Sequence, residues 1–240
     1  MFERLKIYLH FLRSLFRLNI SLLSGMWRLT KLPQPAITFF GGTKLEPDSS
    51  HAQQISEIAK RLALKGFSII TGGGPGIMEA ANLGAFETTN HTHIPNEIAE
   101  KGGVKIVSMG IGLEGLESSN KYVQESVKMR YFFARKWLLV RYSVGFVVGP
   151  GGFGTLDELA EILTLIQTHR MPRTPVVLIG SEYWQPFLDW VNQRALRDRL
   201  LKPEDAAIIL VTDSVDEAYS LITTRCTGFE ACGIDAKPTE

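Results

Sequence analysis

The sequence predicts an α/β protein with a doubly wound (Rossmann-like) parallel sheet, helices on both faces of the sheet and a helical extension at the N-terminus. Three observations lead to this prediction: short apolar runs alternate with helical patterns, the runs are apolar at nearly every position, and glycine-rich turns follow several of them. Strands that are apolar on both sides are typical of a parallel sheet covered by helices. Ligands of such sheets bind beyond the carboxyl ends of the strands, so functional residues are expected in the loop after each strand.

Composition and charge narrow the classes of protein to which the chain can belong. Its 240 residues are 45% apolar and 21% charged, as expected for a globular protein. A formal net charge of +1 argues against a broad nucleic-acid-binding surface, so no nucleic acid polymer is expected as a partner. Cys226 and Cys232 lack a CxxC spacing, which indicates ordinary thiols in a reducing compartment and a cytoplasmic location. The histidines form no recognisable zinc set, and no metal site is predicted.

The N-terminal segment differs in composition from the rest of the chain. Residues 1–32 contain six basic residues against Glu3, and apolar residues recur among them with a helical period. The longest uncharged run, Leu18 to Trp27, is too short to cross a bilayer, and scattered arginines interrupt the apolar region of a signal peptide. The helix is interpreted either as lying on an anionic membrane or a partner, or as packed on the domain or across an oligomer interface. Packing is the favoured interpretation.

We expect residues 1–35 to form a basic amphipathic extension, residues 36–226 the main domain, and residues 227–240 a C-terminal tail. Apolar runs in the main domain predict strands at Ala36–Phe40, Phe67–Ile70, Val104–Ser108, Val144–Val148, Val176–Ile179 and Ala207–Val211. Helical patterns lie near residues 49–64, 76–86, 154–168, 183–198 and 214–223, and residues 122–129 read as a further extended segment before a helix within 130–141. The polar stretch 86–103 is interpreted as an inserted loop with a short helix, with a lid over the pocket as the alternative.

Two strand-to-helix turns are rich in glycine. Glycine removes side chains, so that a ligand can touch the backbone, and the N–H groups at a helix start favour an anion such as phosphate. The candidate phosphate-binding or substrate-binding residues are Gly72, Gly73, Gly74 and Gly76 in the first turn, and Gly151, Gly152, Gly154 and Thr155 in the second. Two such turns predict binding of a nucleotide or sugar phosphate. Neither turn is a Walker A loop or a standard dinucleotide-binding fingerprint.

Three basic residues, Arg130, Arg135 and Lys136, lie in the first part of the apolar segment Arg130–Arg141. They are either surface charges on one helix face, or Arg135 points into the phosphate crevice. Arginine suits the second role because its rigid fork binds phosphate or carboxylate oxygens in a bidentate manner. Asp157 and Glu158 follow the second glycine turn and indicate that chemistry takes place there.

Three segments together make the chain resemble a known family. They are Thr71–Glu79 (TGGGPGIME), Phe132–Lys136 (FFARK) and Pro150–Glu158 (PGGFGTLDE). They resemble the LOG family, long mislabelled as lysine decarboxylases, over roughly residues 36–225. Characterised members of that family are phosphoribohydrolases, which cleave the N-glycosidic bond of a nucleoside 5′-monophosphate to give the free base and ribose 5-phosphate.

The resemblance assigns roles to particular residues. It implies that Arg135 and Glu158 are the catalytic pair, with Glu158 acting on the ribose and its attacking water. It further implies that Gly151–Thr155 cradle the 5′-phosphate, and that Gly72–Gly76 with Glu79 shape the nucleotide side of the pocket. Lys136 belongs to the same Arg-Lys motif and is included among the substrate-binding candidates. The resemblance implies no cofactor and no metal.

The sequence says less about which base the substrate carries and about how many copies of the chain assemble. The chain has Phe132-Phe133 where the plant-type pattern has Met-His, so AMP is the first expected substrate and a cytokinin riboside 5′-monophosphate the second. A homodimer or higher homo-oligomer is expected, since family members pair through helices near the active site. Two further hypotheses are a non-catalytic nucleotide or molybdenum-cofactor carrier, and a scaffold with peripheral membrane contact through residues 1–32.

Overall fold

The computed structural model describes residues 2–32, 35–90, 107–116 and 119–226. Within these residues, seven strands form one parallel sheet. They are β1 Ala36–Phe40, β2 Ser68–Thr71, β3 Ser108–Leu113, β4 Glu125–Met129, β5 Ser143–Val148, β6 Val176–Ile179 and β7 Ile209–Thr212. Their spatial order is β4-β3-β2-β1-β5-β6-β7, and every adjacent pair is parallel. The doubly wound fold predicted from the sequence is confirmed.

Helices cover both faces of this sheet. They are α1 Phe2–Leu29, α2 Ser50–Leu64, α3 Ile77–Asn90, α4 Phe132–Arg141, α5 Phe153–Gln167, α6 Ser181–Trp190, α7 Pro203–Ala206 and α8 Val215–Arg225. A short π-helical turn, Val191–Leu196, continues α6. Each predicted helix lies within a few residues of an observed one.

The alternation of side chains along each strand supplies two apolar layers. In β1, Ile37 and Phe39 pack with α2, α3 and α8, whereas Phe40 packs on the opposite face with α4 and α5. Because all five residues of β1 are buried, the strand contributes to both layers. This burial explains why the strands of the sequence read as apolar runs without a polar side.

The strand order reverses between β1 and β5. From β1 the chain adds β2, β3 and β4 on one side, and β5, β6 and β7 then extend the sheet on the other. The loops after β1 and β5 meet at this point, where the Gly42 N–H donates to the Pro150 carbonyl at 2.8 Å. Ligands of doubly wound sheets bind at such a reversal, so the fold places the second glycine turn at the expected site.

The third strand corrects a prediction. We expected a strand at Val104–Ser108, with a loop after it, but β3 runs from Ser108 to Leu113; residues 104–106 lie outside the described residues. Gly110 and Gly112 suggested a turn. In the structure a Cβ on Gly110 would lie 3.1 Å from the Gly73 Cα, so this glycine permits close approach of the first glycine turn to β3.

Helix α1 packs on the domain through its C-terminal half. Leu18, Leu22, Met26 and Leu29 contact the apolar layer that includes β4 and α4. Gly25 makes the approach close, since a Cβ there would lie 2.5 Å from Leu138 Cδ1. The division into extension, domain and tail stays a prediction; Cys232, residues 227–240 and most of the 86–103 insertion lie outside the described residues. None of the described helices is long and apolar enough to span a bilayer.

Candidate active site

Arg135 and Glu158 come together between α4 and α5. The Arg135 Nη2 lies 3.5 Å from the Glu158 Oε1, and the two side chains are only 14% and 12% exposed. Arg135 is held from the other side as well, because its Nε donates to the Ile111 carbonyl of β3 at 2.9 Å. The two residues therefore form a mostly buried ion pair that links both helices to the sheet.

The first glycine turn makes room for this arginine. A Cβ on Gly72 would lie 2.1 Å from the Arg135 Nη2 and 2.8 Å from the Met78 Sδ. Such distances leave no space for a methyl group while the guanidinium stays in place. The sequence predicted that Gly72 contacts substrate, whereas in the structure its immediate neighbour is the arginine that pairs with Glu158.

Burial changes the acidity of Glu158. Loss of water around the carboxyl raises its pKa from 4.5 to about 7, even though the positive charge of Arg135 acts in the opposite direction. A carboxyl with a pKa near neutrality can take up and release protons under ordinary conditions, which is the property expected of a general acid or base.

The neighbouring residues Lys136 and Asp157 form a separate set. Lys136 Nζ lies 3.0 Å from the Asp157 Oδ1 and 2.7 Å from the Glu161 Oε2. Burial lowers the pKa of Lys136, but its bonds to the two carboxylates outweigh this, and the net shift is upward. Arg135 and Lys136 are adjacent on α4, where successive side chains point about 100° apart. They therefore contact different faces of α5. Binding of phosphate by Lys136 stays a prediction, and in this structure its ammonium is occupied by carboxylates.

The second glycine turn contains glycines of two kinds. A Cβ on Gly151 would lie 2.1 Å from the Thr155 Oγ1 and 2.8 Å from the Gly42 N, so Gly151 is required by packing. A Cβ on Gly152 or Gly154 would meet no atom of the described residues within 4 Å. Gly154 lies one helical turn before Glu158 on α5, so open space begins on the same helix face as the carboxyl. This is the room that a bound phosphate would need.

The first glycine turn has a close neighbour at each of its left-handed positions. Gly73 and Gly76 have φ angles of +77° and +69°, which residues with side chains rarely adopt. A Cβ on Gly76 would lie 2.3 Å from the Gly42 carbonyl oxygen. Gly76 therefore joins the loops after β1 and β2 at a distance that tolerates no side chain, whereas a Cβ on Gly73 would lie 3.3 Å from the Gly110 Cα of β3.

A buried polar network fixes this turn, and sequence reasoning missed it. Thr71 Oγ1 donates to the Asn82 Oδ1 at 2.7 Å, and the Asn82 amide donates to Ser108 Oγ at 2.8 Å. Asn120 Nδ2 contacts the Gly74 carbonyl at 2.9 Å and the Asn82 Oδ1 at 3.0 Å. The available clue was Asn82 itself, a polar residue among the alanines of an apolar helix.

Ile77 connects the two glycine turns through apolar contact. Its N–H donates to the Gly42 carbonyl at 3.0 Å. A Cβ on Gly41 would lie 2.3 Å from Ile77 Cγ2, and a Cβ on Gly149 would lie 3.1 Å from the same atom. Two glycines that directly follow the neighbouring strands β1 and β5 therefore make room for one isoleucine.

A cleft of about 550 Å³ opens beside the second turn. It lies between the loop after β1 and the start of α6, and its lining includes Lys44, His51, Gly151, Gly152 and Tyr183. The Tyr183 hydroxyl donates to the Gly151 carbonyl and so holds the turn from the outside. Tyr183, Lys44 and His51 were not among the residues predicted from the sequence, because they lie outside the three motifs.

Glu79 occupies a different place. It lines a groove of about 310 Å³ between α2 and α3, together with Gly76, Lys60 and Tyr122. The structure thus brings Arg135 against both Glu158 and Gly72, whereas Glu79 lines this other groove. Its predicted contact with the nucleotide stays a prediction.

The described part of the chain contains no group of three or more His, Cys, Asp or Glu residues arranged to hold a metal ion. The polar groups at the site are the arginine, the carboxyls and the backbone of the two turns. These groups can neutralise an anion and exchange a proton with water.

A family model described as "Possible lysine decarboxylase" matches residues 78–222, which is more than half of the chain and includes Arg135 and Glu158. The chain belongs to this family, the LOG family. Cytokinin riboside 5′-monophosphate phosphoribohydrolase LOG of Oryza sativa subsp. japonica is 25% identical over 178 residues, covering 73% of this chain and 67% of the relative. A cytokinin riboside 5′-monophosphate phosphoribohydrolase of Arabidopsis thaliana is 22% identical over 184 residues, covering 75% and 74%.

Solved structures share the LOG-type fold at low identity. The molybdenum cofactor carrier protein of Chlamydomonas reinhardtii superposes with a TM-score of 0.55 at 21% identity, covering 81% of this chain and 99% of that one. The molybdenum cofactor binding protein of Rippkaea orientalis has a TM-score of 0.54 at 21% identity, covering 80% and 96%. At this identity the likeness concerns the fold alone.

Proposed function

We propose that this LOG-family chain is a hydrolase that cleaves the N-glycosidic bond of a nucleoside 5′-monophosphate, with AMP as the first substrate and a cytokinin riboside 5′-monophosphate as the second. The observation that carries the proposal is the buried Arg135–Glu158 pair, with the pKa of Glu158 raised to about 7, beside open space at Gly152 and Gly154. The curated relatives bear the names of enzymes of this class.

The chemistry needs one carboxylate and one water. The bond between C1′ of the ribose and the base nitrogen breaks, and a bond from C1′ to the water oxygen forms. One proton of that water passes to Glu158, which releases it again, and the base nitrogen takes up one proton, so that protons balance over the reaction. Positive charge develops on the ribose, so an ionised Glu158 stabilises the transition state and accepts a proton from the attacking water. Arg135 positions the carboxylate and keeps part of it ionised.

The second glycine turn suits the 5′-phosphate. The N-terminus of α5 offers backbone N–H groups and the positive end of its helix dipole. Gly152 and Gly154 leave space beside them, and Thr155 adds a hydroxyl that packs against Gly151. In this proposal the first glycine turn acts mainly by holding Arg135, and Glu79 borders the base or sugar only if the substrate reaches beyond Gly76.

The test is to incubate the protein with AMP and to separate adenine and ribose 5-phosphate by chromatography. We expect both products in equal amounts, and we expect Glu158→Gln to lower turnover by about a thousandfold, because the amide can neither carry the charge nor accept the proton. A screen of other nucleoside 5′-monophosphates in the same assay identifies the preferred base.

Asp157→Asn is the matched control, since it neutralises the adjacent carboxyl, which is exposed and paired with Lys136. This variant keeps most of its turnover if the two acids have separate roles. Equal losses in both variants would overturn the assignment of Glu158, and intact protein that cleaves no monophosphate would overturn the proposal as a whole.

The alternative is a non-catalytic carrier of a nucleotide or of molybdenum cofactor. It predicts saturable binding of a nucleotide without release of base. The Arg135–Glu158 pair favours the enzyme, because binding alone does not require a carboxyl whose pKa lies near neutrality. Equilibrium dialysis with AMP, followed by chromatography of the recovered nucleotide, distinguishes the two.

A homodimer or higher homo-oligomer belongs to the same proposal. Phe132, Phe133 and Trp137 of α4 are 40% to 59% exposed, and Phe153 at the start of α5 is 92% exposed. Apolar side chains of this size in one region are typical of a protein–protein interface. Light scattering measures the assembly, and a cytoplasmic location is expected for an enzyme acting on AMP.

A further inference from the structure

Helix α1 carries an exposed apolar stripe that the packing of the domain does not use. The apolar side chains that contact the domain are Leu18, Leu22, Met26 and Leu29, and Arg28 donates to the Ser126 carbonyl at 3.1 Å. A second set recurs at helical spacing from one end of α1 to the other and is 41% to 68% exposed: Leu5, Leu9, Leu12, Phe16, Leu23 and Trp27. With a rise of about 1.5 Å per residue, this stripe is about 33 Å long.

Basic residues line one side of the stripe. Lys6, Arg13 and Arg17 each follow a member of the stripe by one position and therefore point about 100° away from it, side by side. Residues 2–31 hold six basic residues and one acid, Glu3, which pairs with Lys6 at 3.1 Å. The exposed surface of α1 is therefore both apolar and strongly positive.

The C-terminal end of the stripe has an aromatic residue and a lysine together. Lys31 Nζ lies over the Trp27 ring, 4.6 Å from its centroid. Tryptophan and lysine side chains of this kind place an apolar body in the acyl region and a polar tip among headgroups. The whole-chain formal net charge is only +1, so the positive charge is concentrated on α1 rather than spread over the protein.

We propose that α1 docks on an anionic lipid surface, with the stripe Leu5–Trp27 inserted among the headgroups and the basic side chains against lipid phosphates. Charge complementarity selects this occupant. Pairing the stripes of two copies would bring two rows of Lys6, Arg13 and Arg17 close together, with Glu3 as the one acid of each helix. An anionic bilayer satisfies both the apolar and the positive face of a helix that lies in its plane.

Docking through α1 would hold the candidate active site close to the lipid surface, because α1 packs against the helix that carries Arg135. The contact between Gly25 and Leu138 joins α1 to α4, which carries Arg135. The proposal concerns where the protein is held and does not depend on the reaction that it catalyses.

The test is flotation of the full chain with vesicles of phosphatidylcholine alone and with vesicles that also contain phosphatidylglycerol. We expect the ratio of bound to free protein to be at least about tenfold higher on the anionic vesicles and to fall as salt is added. The double variant Leu9→Glu, Phe16→Glu abolishes flotation, because both substitutions place carboxylates in the inserted stripe. Arg13→Gln with Arg17→Gln weakens binding to anionic vesicles and leaves any binding to phosphatidylcholine unchanged.

The matched control is Leu116→Glu with Leu200→Glu, which changes two leucines that are 61% and 72% exposed but lie outside α1. This variant floats like the wild type. Melting temperatures of all variants show whether the fold is kept, and light scattering without lipid measures self-association. Failure of the wild type to float with anionic vesicles, equal flotation of the α1 variant, or an α1-dependent oligomer that binds no vesicle would each overturn the proposal.

Discussion

The two glycine-rich turns are similar in sequence and different in structure. In the turn after β2, Gly72 lies against Arg135, and Gly76 lies against the Gly42 carbonyl in a left-handed conformation. In the turn after β5, Gly152 and Gly154 have no described neighbour where a Cβ would be. A glycine-rich strand-to-helix turn can therefore serve internal packing or leave room for a ligand, and composition alone does not separate the two uses.

The largest expected effect tests the turn after β2, Gly72–Gly76, which we call the packed turn; the turn after β5, Gly151–Thr155, is the open turn. Gly76→Ala forces an alanine into a left-handed conformation and places its Cβ 2.3 Å from a backbone oxygen that cannot move freely. We expect a loss of about 3 kcal/mol or more in the free energy of unfolding. Chemical denaturation monitored by circular dichroism measures it.

The control for this variant is Gly154→Ala in the open turn. Alanine favours the helix by up to about 1 kcal/mol over glycine and meets no described neighbour, so the free energy of unfolding stays the same or rises. AMP turnover falls nevertheless, because the methyl group enters the space assigned to phosphate. A stable Gly76→Ala variant, or a Gly154→Ala variant with full turnover, would remove the distinction between the turns.

The next effect concerns Glu158, which follows the open turn, and its influence on stability. Between pH 4.5 and about 7 the folded chain keeps the proton on Glu158 whereas the unfolded chain releases it, so the free energy of unfolding falls as pH rises. The contribution of this residue is about 3 kcal/mol over that range. Relative to the wild type, Glu158→Gln should gain stability as pH rises through the range, which denaturation at a series of pH values measures.

The same pKa governs turnover. If the ionised carboxyl is the active form, kcat/KM for AMP rises with pH and levels off above about pH 7. Arg135→Gln removes the charge that lowers the pKa of Glu158 and moves this rise to higher pH. A profile that is flat through neutrality would contradict the assigned role of the acid.

A smaller effect links the packed turn to catalysis. Gly72→Ala displaces the Arg135 guanidinium, and we expect turnover of AMP to fall by about a hundredfold. The same substitution made in the Arg135→Ala background has little further effect, because the arginine side chain that it displaces is already absent and the remaining close contact is with Met78 Sδ, near the end of a flexible side chain. Steady-state kinetics of the four proteins in this double-mutant cycle measure the coupling. Additive losses would mean that Gly72 acts on substrate directly, as the sequence first suggested.

Much of the fold could be predicted from the sequence, because buried parallel strands leave a clear apolar signature. Runs such as Ala36–Phe40 and Val176–Ile179 coincide with the observed strands. The third strand was misplaced because Gly110 and Gly112 indicate a turn when their neighbours are unknown, and the neighbour of Gly110 is Gly73, 37 positions earlier in the chain. A contact over that distance has no local signal.

Part of the candidate site could also be predicted from the sequence. The Arg135–Glu158 pairing could be proposed because both residues lie in recognisable motifs. The different partners of Lys136 and Arg135 could not be predicted, since they depend on which face of α5 each side chain contacts. Asn82 and Asn120 hold the first turn through hydrogen bonds between distant segments, and no spacing rule would have paired them.

The contact of Ile77 with Gly41 and Gly149 has a consequence for how this chain can change during evolution. A side chain at position 41 or 149 collides with the isoleucine, and shortening the isoleucine alone leaves a cavity between two glycines. Single substitutions at these positions therefore lower stability, whereas a pair of substitutions that enlarges one glycine and shortens the side chain at position 77 conserves the packed volume. The three positions should covary among descendants of this chain, so the junction of the two turns is inherited as a unit.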